Sequence, residues 1–142
     1  MIGLSSLDLL AFPCRHTDRV VVPVIDARKN EVFSAMYRQV PGGLQQVAAP
    51  TVGPVDELVA DLLARSQDVL CVGDGARRYR EEILDGFPCE FGGDDHPSAA
   101  RLVQLAHARA LREEWVTPWE IEPIYLRAPD AQINWSTRAA RP

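Results

Sequence analysis

The chain has 142 residues, of which 46% are hydrophobic and 25% charged, and its formal net charge is −5. This length and composition fit one globular domain with its own core and exclude a disordered chain. The negative charge opposes contact with a phosphate backbone, so we expect no direct binding to nucleic acid.

Membrane and disulfide classes are also disfavoured by the sequence. No apolar run approaches the roughly 20 residues of a spanning helix, and the first residues lack the basic segment of a signal peptide. We therefore expect a cytoplasmic protein without a membrane segment. The cysteines Cys14, Cys71 and Cys89 are odd in number and form no C-x-x-C pair, so we interpret them as reduced thiols.

The first part of the chain predicts a short helix and then a three-stranded antiparallel meander. Ser5 and Asp8 have the spacing of a capping box, and the helix that they begin must end before Pro13. The first strand is a run of β-branched residues, and the turn signal PGG separates the second strand from the third. The predicted strands are residues 20–25, 31–40 and 44–48.

After the meander, the hydrophobic period changes from 2 to 3.6 residues. The segment 55–65 has apolar residues on one helical face and charged residues on the other, which predicts an amphipathic helix. A short buried strand follows at 69–73, then a charged helix at 77–84. A last helix is predicted at 98–113, with Asp95 or His96 as its cap.

This order of elements predicts an α/β fold, a three-stranded antiparallel meander followed by helix, strand, helix and helix. The same order occurs in ribonuclease-H-like domains, including each lobe of the actin-like ATPases and sugar kinases. In that group, ATP lies between two lobes and is held by hairpin turns and a Gly-rich turn. We expect residues 1–128 to form a single lobe and residues 129–142 to form a mobile tail.

Five stretches carry a closer resemblance. In chain order they are IGLSSLDLLA, VIDARKNEVFSAMY, CVGDGA, PSAARLVQLA and EPIYLRAPDA, the last at residues 122–131. Together they resemble the carboxy-terminal lobe of the TsaB family, also called YeaZ. The resemblance implies a non-catalytic scaffold that acts with TsaD-like and TsaE-like proteins to place threonylcarbamoyl on adenosine 37 of tRNA. It implies no catalytic, cofactor-binding or metal-binding residue in this chain, and ATP or ADP only in a complete two-lobed complex.

The sequence departs from this family at its beginning. Members begin with a separate lobe that opens on an IDTS-type turn and pairs with a second copy or with TsaD, and no such segment is present here. The resemblance therefore implies that this chain alone does not support tRNA modification. The rival hypothesis is an enzyme, either a lobe of an actin-like ATPase or kinase, or a glycoprotease-like peptidase.

The charged turn DARKNE, residues 26–31, has three interpretations. It lacks the glycine of a phosphate-binding loop, and its carboxylates would repel a phosphate. Asp26 and Glu31 could act as an acid and a base, but the local sequence offers no nucleophile or metal partner. The favoured interpretation is a solvated hairpin in which Arg28 or Lys29 offsets the carboxylates, and Asn30 takes a left-handed conformation.

Other polar groups allow weaker hypotheses. Cys14 with His16 and His96 would suit a thiol enzyme or a metal, and Asp94 with Asp95 would suit a hard cation, although structural roles explain both sets. The DGA turn at 74–76 could be a relic of an adenosine-binding turn.

Six residues are candidates for a partner interface. The short first helix has more apolar residues than one face can bury, which predicts self-association into a homodimer. Tyr125 and Arg127 could anchor a contact with a partner, because aromatic and guanidinium groups are common interface anchors. Packing of Tyr125 on the core and an ion pair between Arg127 and Asp130 would explain the two residues equally well. The candidates are Leu7, Leu10, Phe12, Arg28, Tyr125 and Arg127.

Overall fold

A computed structural model describes residues 1–127, and the predicted tail at 129–142 lies outside these residues. The described chain is a mixed α/β fold built on a five-stranded sheet. Its strands are β1 (Val20–Asp26), β2 (Glu31–Val40), β3 (Gly43–Pro54), β4 (Val69–Val72) and β5 (Glu90–Phe91). Its α-helices are α1 (Ser6–Ala11), α2 (Val55–Arg65), α3 (Asp74–Arg78), α4 (Arg80–Gly86) and α5 (Ala99–Leu111).

The strand order in the sheet is β3-β2-β1-β4-β5. The first three strands form an antiparallel meander, whereas β4 runs parallel to β1 and β5 runs parallel to β4. The predicted meander and the strand after α2 are therefore present. β3 is longer than predicted because its second half pairs with the start of β2, where Phe33 lies opposite Val52.

Both faces of the central strand β1 are buried, as its β-branched sequence predicts. Helices α2 and α4 cover one face of the sheet, where Val22 and Val24 join a core that includes Leu62 and Ile83. Helix α1 covers part of the other face, against Val21.

Helix α1 has the predicted capping box but not the predicted surplus of exposed apolar surface. The Ser5 hydroxyl accepts a hydrogen bond from the Asp8 amide at 3.0 Å, and the Asp8 carboxylate accepts one from the Ser5 amide at 3.2 Å. Leu7 is 5% exposed and Leu10 is fully buried, because this helix lies flat on the sheet. The expectation that these leucines face a second copy is therefore wrong.

The second half of the chain differs from the prediction in three places. The predicted helix at 77–84 is two short helices that meet at Tyr79, and β5 was missed because it has only two residues. Helix α5 begins after Ser98, and neither Asp95 nor His96 caps it. Asp95 instead forms an ion pair with Arg77 at 2.5 Å.

Within residues 1–127, no helix is long and apolar enough to cross a membrane.

Candidate functional site

Two turns meet at one edge of the sheet. Pro23 of β1 lies opposite Val72 of β4, and because these strands are parallel, their carboxyl ends lie side by side. The β1–β2 hairpin turn and the Gly-rich turn after β4 are therefore neighbours. Their position matches the two turns that the sequence singled out as candidates for nucleotide contact.

The hairpin turn has an unusual backbone. Arg28, Lys29 and Asn30 all have positive φ, at 63°, 54° and 59°, although only Asn30 was expected in the left-handed region. Such conformations cost energy in residues other than glycine. Hydrogen bonds across the turn offset this cost, since the Arg28 amide donates to the Asp26 carboxylate at 2.9 Å and the Glu31 amide donates to the Arg28 carbonyl at 3.0 Å.

The Asp26 carboxylate is a structural hub between the two turns. It accepts hydrogen bonds from the Arg78 guanidinium at 3.0 Å and from the Tyr79 hydroxyl at 3.2 Å, and its side chain is only 14% exposed. The Asp26 amide also donates to the Asp74 carboxylate at 3.3 Å. A carboxylate bound in this way is poorly placed to accept a substrate proton, which disfavours the acid–base interpretation.

Glu31, the second carboxylate of the turn, forms an ion pair with Arg127. The Arg127 guanidinium also donates to the Ala27 carbonyl at 2.9 Å. The last described residue therefore binds both sides of the hairpin turn. From the sequence alone, Arg127 is expected to anchor a partner or to pair with Asp130, which lies outside the described residues. The structure thus favours a hairpin held by ion pairs, with cations that sequence reasoning did not assign to it.

The Gly-rich turn after β4 packs closely against the neighbouring strand β1. A side chain at Gly73, where φ is 103°, would place its Cβ 2.4 Å from the Val24 carbonyl oxygen. A Cβ at Gly75 would lie 2.8 Å from the Asp26 amide nitrogen. Both glycines are therefore required for packing of α3 against β1, and the adenosine-turn hypothesis is not needed to explain them.

The weaker chemical hypotheses gain nothing from the geometry. Burial and the nearby Asp94 raise the pKa of the Cys14 thiol, which disfavours the thiolate that a nucleophile requires. His16 and His96 are exposed, and Asp95 forms an ion pair with Arg77. Among residues 1–127, no group of three or more His, Cys, Asp and Glu side chains could hold a metal ion.

The remaining interface candidates lie at separate places. Phe12 is half-buried beneath the Arg15 guanidinium, which lies 4.3 Å from its ring centroid. Arg28 is exposed at the tip of the hairpin, and Tyr125 is 85% exposed. The structure does not bring these three together with Leu7 and Leu10, which are buried.

Sequence reasoning missed a groove of about 860 Å³ between α1, the start of β2 and residues 116–126. Ile25, Phe33 and Ile121 line it, and the neighbouring Trp119 is 87% exposed. The signal available in the sequence was the apolar, proline-interrupted stretch from Trp115 onward, whose spacing fits neither a helix nor a strand. Helix α5 adds further exposed apolar side chains, since none of its residues is buried.

Comparisons with known proteins agree with this fold. No family model matches the chain. The tRNA threonylcarbamoyladenosine biosynthesis protein TsaB of Bacillus subtilis (strain 168) is 27% identical over 134 residues, which are 94% of this chain and 58% of that protein. A crystal structure of an uncharacterized protein with similarity to peptidase YeaZ, from Pseudomonas aeruginosa, has a TM-score of 0.70 and 26% identity over 89% of this chain. YeaZ from Pseudomonas aeruginosa has a TM-score of 0.68 and 25% identity over 88% of this chain.

The five-stranded sheet with its flanking helices is therefore a YeaZ-like mixed α/β fold. Over nearly its whole length, the chain resembles the TsaB (YeaZ) family, as its sequence motifs predicted. It spans 58% of the length of each of these relatives, which fits a resemblance to one lobe.

Proposed function

We propose that the chain is a non-catalytic accessory component of the tRNA threonylcarbamoyladenosine machinery, acting in the cytoplasm with TsaD-like and TsaE-like proteins. The observation that carries this proposal is the similarity to TsaB across 94% of the chain. We also infer that its fold is a ribonuclease-H-like lobe, because an antiparallel meander continues into strands parallel to β1.

The chemistry of the two turns supports a scaffold rather than an enzyme. Asp26 and Glu31 are bound by Arg78 and Arg127, and the Gly73 turn is packed against β1. An ATPase or kinase lobe would need backbone amides open to phosphate at this edge. A peptidase would need a nucleophile beside a base, and the raised pKa of Cys14 argues against the thiol that sequence reasoning considered.

We assign contact with a partner protein of this machinery to residues 119–125, a segment that includes several of the residues lining the groove. Trp119 and Tyr125 are the most exposed large apolar side chains of the described chain, at 87% and 85%. Exposed aromatic residues beside an apolar depression are typical anchors of protein interfaces. The acidic net charge favours a protein partner over direct contact with tRNA.

A chimera tests the accessory role. The part of Bacillus subtilis TsaB that this chain does not match is fused to this chain and added to purified machinery that lacks TsaB. Modified adenosine is measured by mass spectrometry of digested tRNA. The proposal expects modification with the chimera and none with this chain alone.

The matched control is the same chimera with Trp119→Ala and Tyr125→Ala. Because both side chains are exposed, these changes leave the fold intact, and we expect them to reduce modification. A folded chimera that never restores modification would contradict the accessory role. Equal activity of the chimera and its double variant would contradict the assigned surface alone.

A further inference from the structure

Two thiols that are 18 positions apart in the sequence lie side by side where β4 meets the edge strand β5. The sulfur atoms of Cys71, on β4, and Cys89, just before β5, are 3.8 Å apart and share a hydrogen bond. Both cysteines are free. Cys71 is fully buried, whereas Cys89 is partly accessible and packs against the main core. We propose that Cys71 and Cys89 form a redox site, in which a hydroperoxide converts the two thiols to a disulfide.

A small oxidant reaches the site from solvent at Cys89, which is partly exposed. A cavity of about 190 Å³ adjoins Cys71, Phe91 and Gly92, and its charged lining residues are Arg77, Arg80 and Asp95. The Arg80 guanidinium lies over the Phe91 ring, 4.7 Å from the centroid. This cavity borders the buried Cys71 and not Cys89, and its size would hold the one or two water molecules that the reaction releases.

The two sulfurs have different roles in the reaction. The hydrogen bond from Cys71 and the nearby Arg80 cation lower the pKa of Cys89, although burial opposes them. The same hydrogen bond and burial raise the pKa of Cys71, which therefore remains a thiol. Cys89 is thus the attacking sulfur, because the thiolate is the nucleophile, and Cys71 is the resolving sulfur.

The chemistry balances in two steps. The Cys89 sulfur attacks one peroxide oxygen, so an S–O bond forms, the O–O bond breaks, and water leaves with the thiol proton. The Cys71 sulfur then attacks Cys89, so the S–S bond forms, the S–O bond breaks, and hydroxide leaves with the Cys71 proton as a second water. The two thiols lose two electrons, and one hydrogen peroxide gains them.

Closing the bond requires the sulfurs to approach from 3.8 Å to about 2 Å. Cys89 is the residue that can move, because it lies between α4 and the two-residue strand β5 at the edge of the sheet. Cys71 is fixed in β4, which is paired on both sides.

Peptide mapping tests the proposal on the full chain. The folded chain is treated with an equivalent of hydrogen peroxide, the remaining thiols are blocked, and the protein is digested with trypsin without reduction. Cleavage after Arg65, Arg77, Arg80 and Arg101 places Cys71 in peptide 66–77 and Cys89 in peptide 81–101, whereas Cys14 lies in peptide 1–15. We expect a 66–77 to 81–101 cross-link that reduction removes, with Cys14 still free.

Variants and unfolding provide the controls. Cys14→Ser should form the cross-link as fast as the unaltered chain, and Cys71→Ser should instead accumulate sulfenic acid on Cys89, detected with dimedone. In denaturing urea, the preference for this pair should disappear, which tests the folded geometry without any substitution. Oxidation of Cys89 to sulfinic acid without a cross-link in the unaltered folded chain, or a preference for links to Cys14, would overturn the proposal.

Discussion

The Asp26 carboxylate is the residue on which the hairpin turn most depends. Its hydrogen bond from the Tyr79 hydroxyl is partly shielded from water, and the Asp26 side chain is only 14% exposed. We expect Asp26→Ala to lower the free energy of unfolding by about 1–3 kcal/mol, since it leaves the partly buried Tyr79 hydroxyl without its acceptor. Urea denaturation followed by circular dichroism measures this change.

The matched control is Asp61→Ala on α2. Asp61 pairs with Arg65 one helical turn away, and both side chains are more than 40% exposed. We expect a loss of about 0.5 kcal/mol or less. Similar losses for the two variants would mean that Asp26 is not a hub.

The buried environment of the Tyr37 hydroxyl leads us to predict that the stability of the fold falls at high pH. Its hydroxyl donates to the Asp8 carboxylate at 2.7 Å. Burial, this hydrogen bond and the Asp8 charge raise the pKa of Tyr37 well above its ordinary value. The unfolded tyrosine loses its proton at about pH 10, so the stability that Tyr37 contributes is complete below that pH and is lost progressively above it.

The measurement compares Tyr37→Phe with the unaltered chain. At neutral pH, we expect the variant to be less stable by about 1 kcal/mol, the usual net value of one hydrogen bond. As the pH rises above about 10, this difference in the free energy of unfolding should narrow. The unfolded form of the unaltered chain then loses the Tyr37 proton, which favours unfolding, whereas phenylalanine has no proton to lose. A difference in the free energy of unfolding that stays constant across this range would contradict the prediction.

At the scale of elements, the contact between α3 and β1 tolerates no side chain at Gly75. A Cβ there would lie 2.8 Å from the Asp26 amide and 2.9 Å from the Val24 carbonyl oxygen. We expect Gly75→Ala to cost about 1–3 kcal/mol in the free energy of unfolding, because backbone must move to relieve the contact. Thermal and urea denaturation both report this loss.

Gly3→Ala is the control for this substitution. Its added Cβ would approach only the Ile121 side chain, at 3.8 Å, which is an ordinary contact. We expect a change within about 0.5 kcal/mol. Equal effects at the two glycines would show that α3 does not depend on its close approach to β1.

Helix α1 is the second element with a sharp test. Leu10 is fully buried between α1 and the sheet. Leu10→Asp should therefore unfold the chain, rather than convert a dimer to a monomer, because it buries a charge without a partner. Circular dichroism and sedimentation distinguish these outcomes. A folded monomeric variant would restore the interface hypothesis that the burial of Leu10 overturned.

Local signals made several elements predictable, whereas others depend on distant pairing. The β-branched run of β1 and the Ser5–Asp8 capping box are local patterns, and both are present in the structure. β5 and the second half of β3 were not predicted, because they exist through pairing with β4 and β2 rather than through their own periodicity. The break between α3 and α4 at Tyr79 was not predicted either, because no glycine or proline stands at that position.

The candidate site was only partly predictable for the same reason. The turn 26–31 could be located, but the cations that bind its carboxylates are Arg78 and Arg127, which are 52 and 96 positions beyond Asp26 and Glu31. Sequence spacing favoured Arg28 and Lys29 because they are neighbours along the chain. Topology adds two cations that spacing along the chain does not indicate, since it places α3 and residue 127 against the hairpin.

At the scale of the whole molecule, we predict that the chain alone does not bind ATP with micromolar affinity. Arg78 and Arg127 are paired with the carboxylates of the hairpin turn rather than free for a triphosphate, and the Gly73 turn is packed against β1. Isothermal titration calorimetry with ATP and Mg²⁺ provides the measurement, and a known ATP-binding protein serves as the positive control. A micromolar dissociation constant would contradict both this prediction and the scaffold interpretation.

The two outer strands of the sheet determine how the chain behaves at high concentration. β5 has two residues, and β3 includes Pro50 and ends at Pro54. Proline has no amide hydrogen to offer to an added strand, and two residues make a poor template, so both edges resist pairing with another chain. Pro50→Val restores a donor in a β-prone residue. We expect it to increase thioflavin-positive aggregation on prolonged incubation, whereas the unaltered chain should remain in solution.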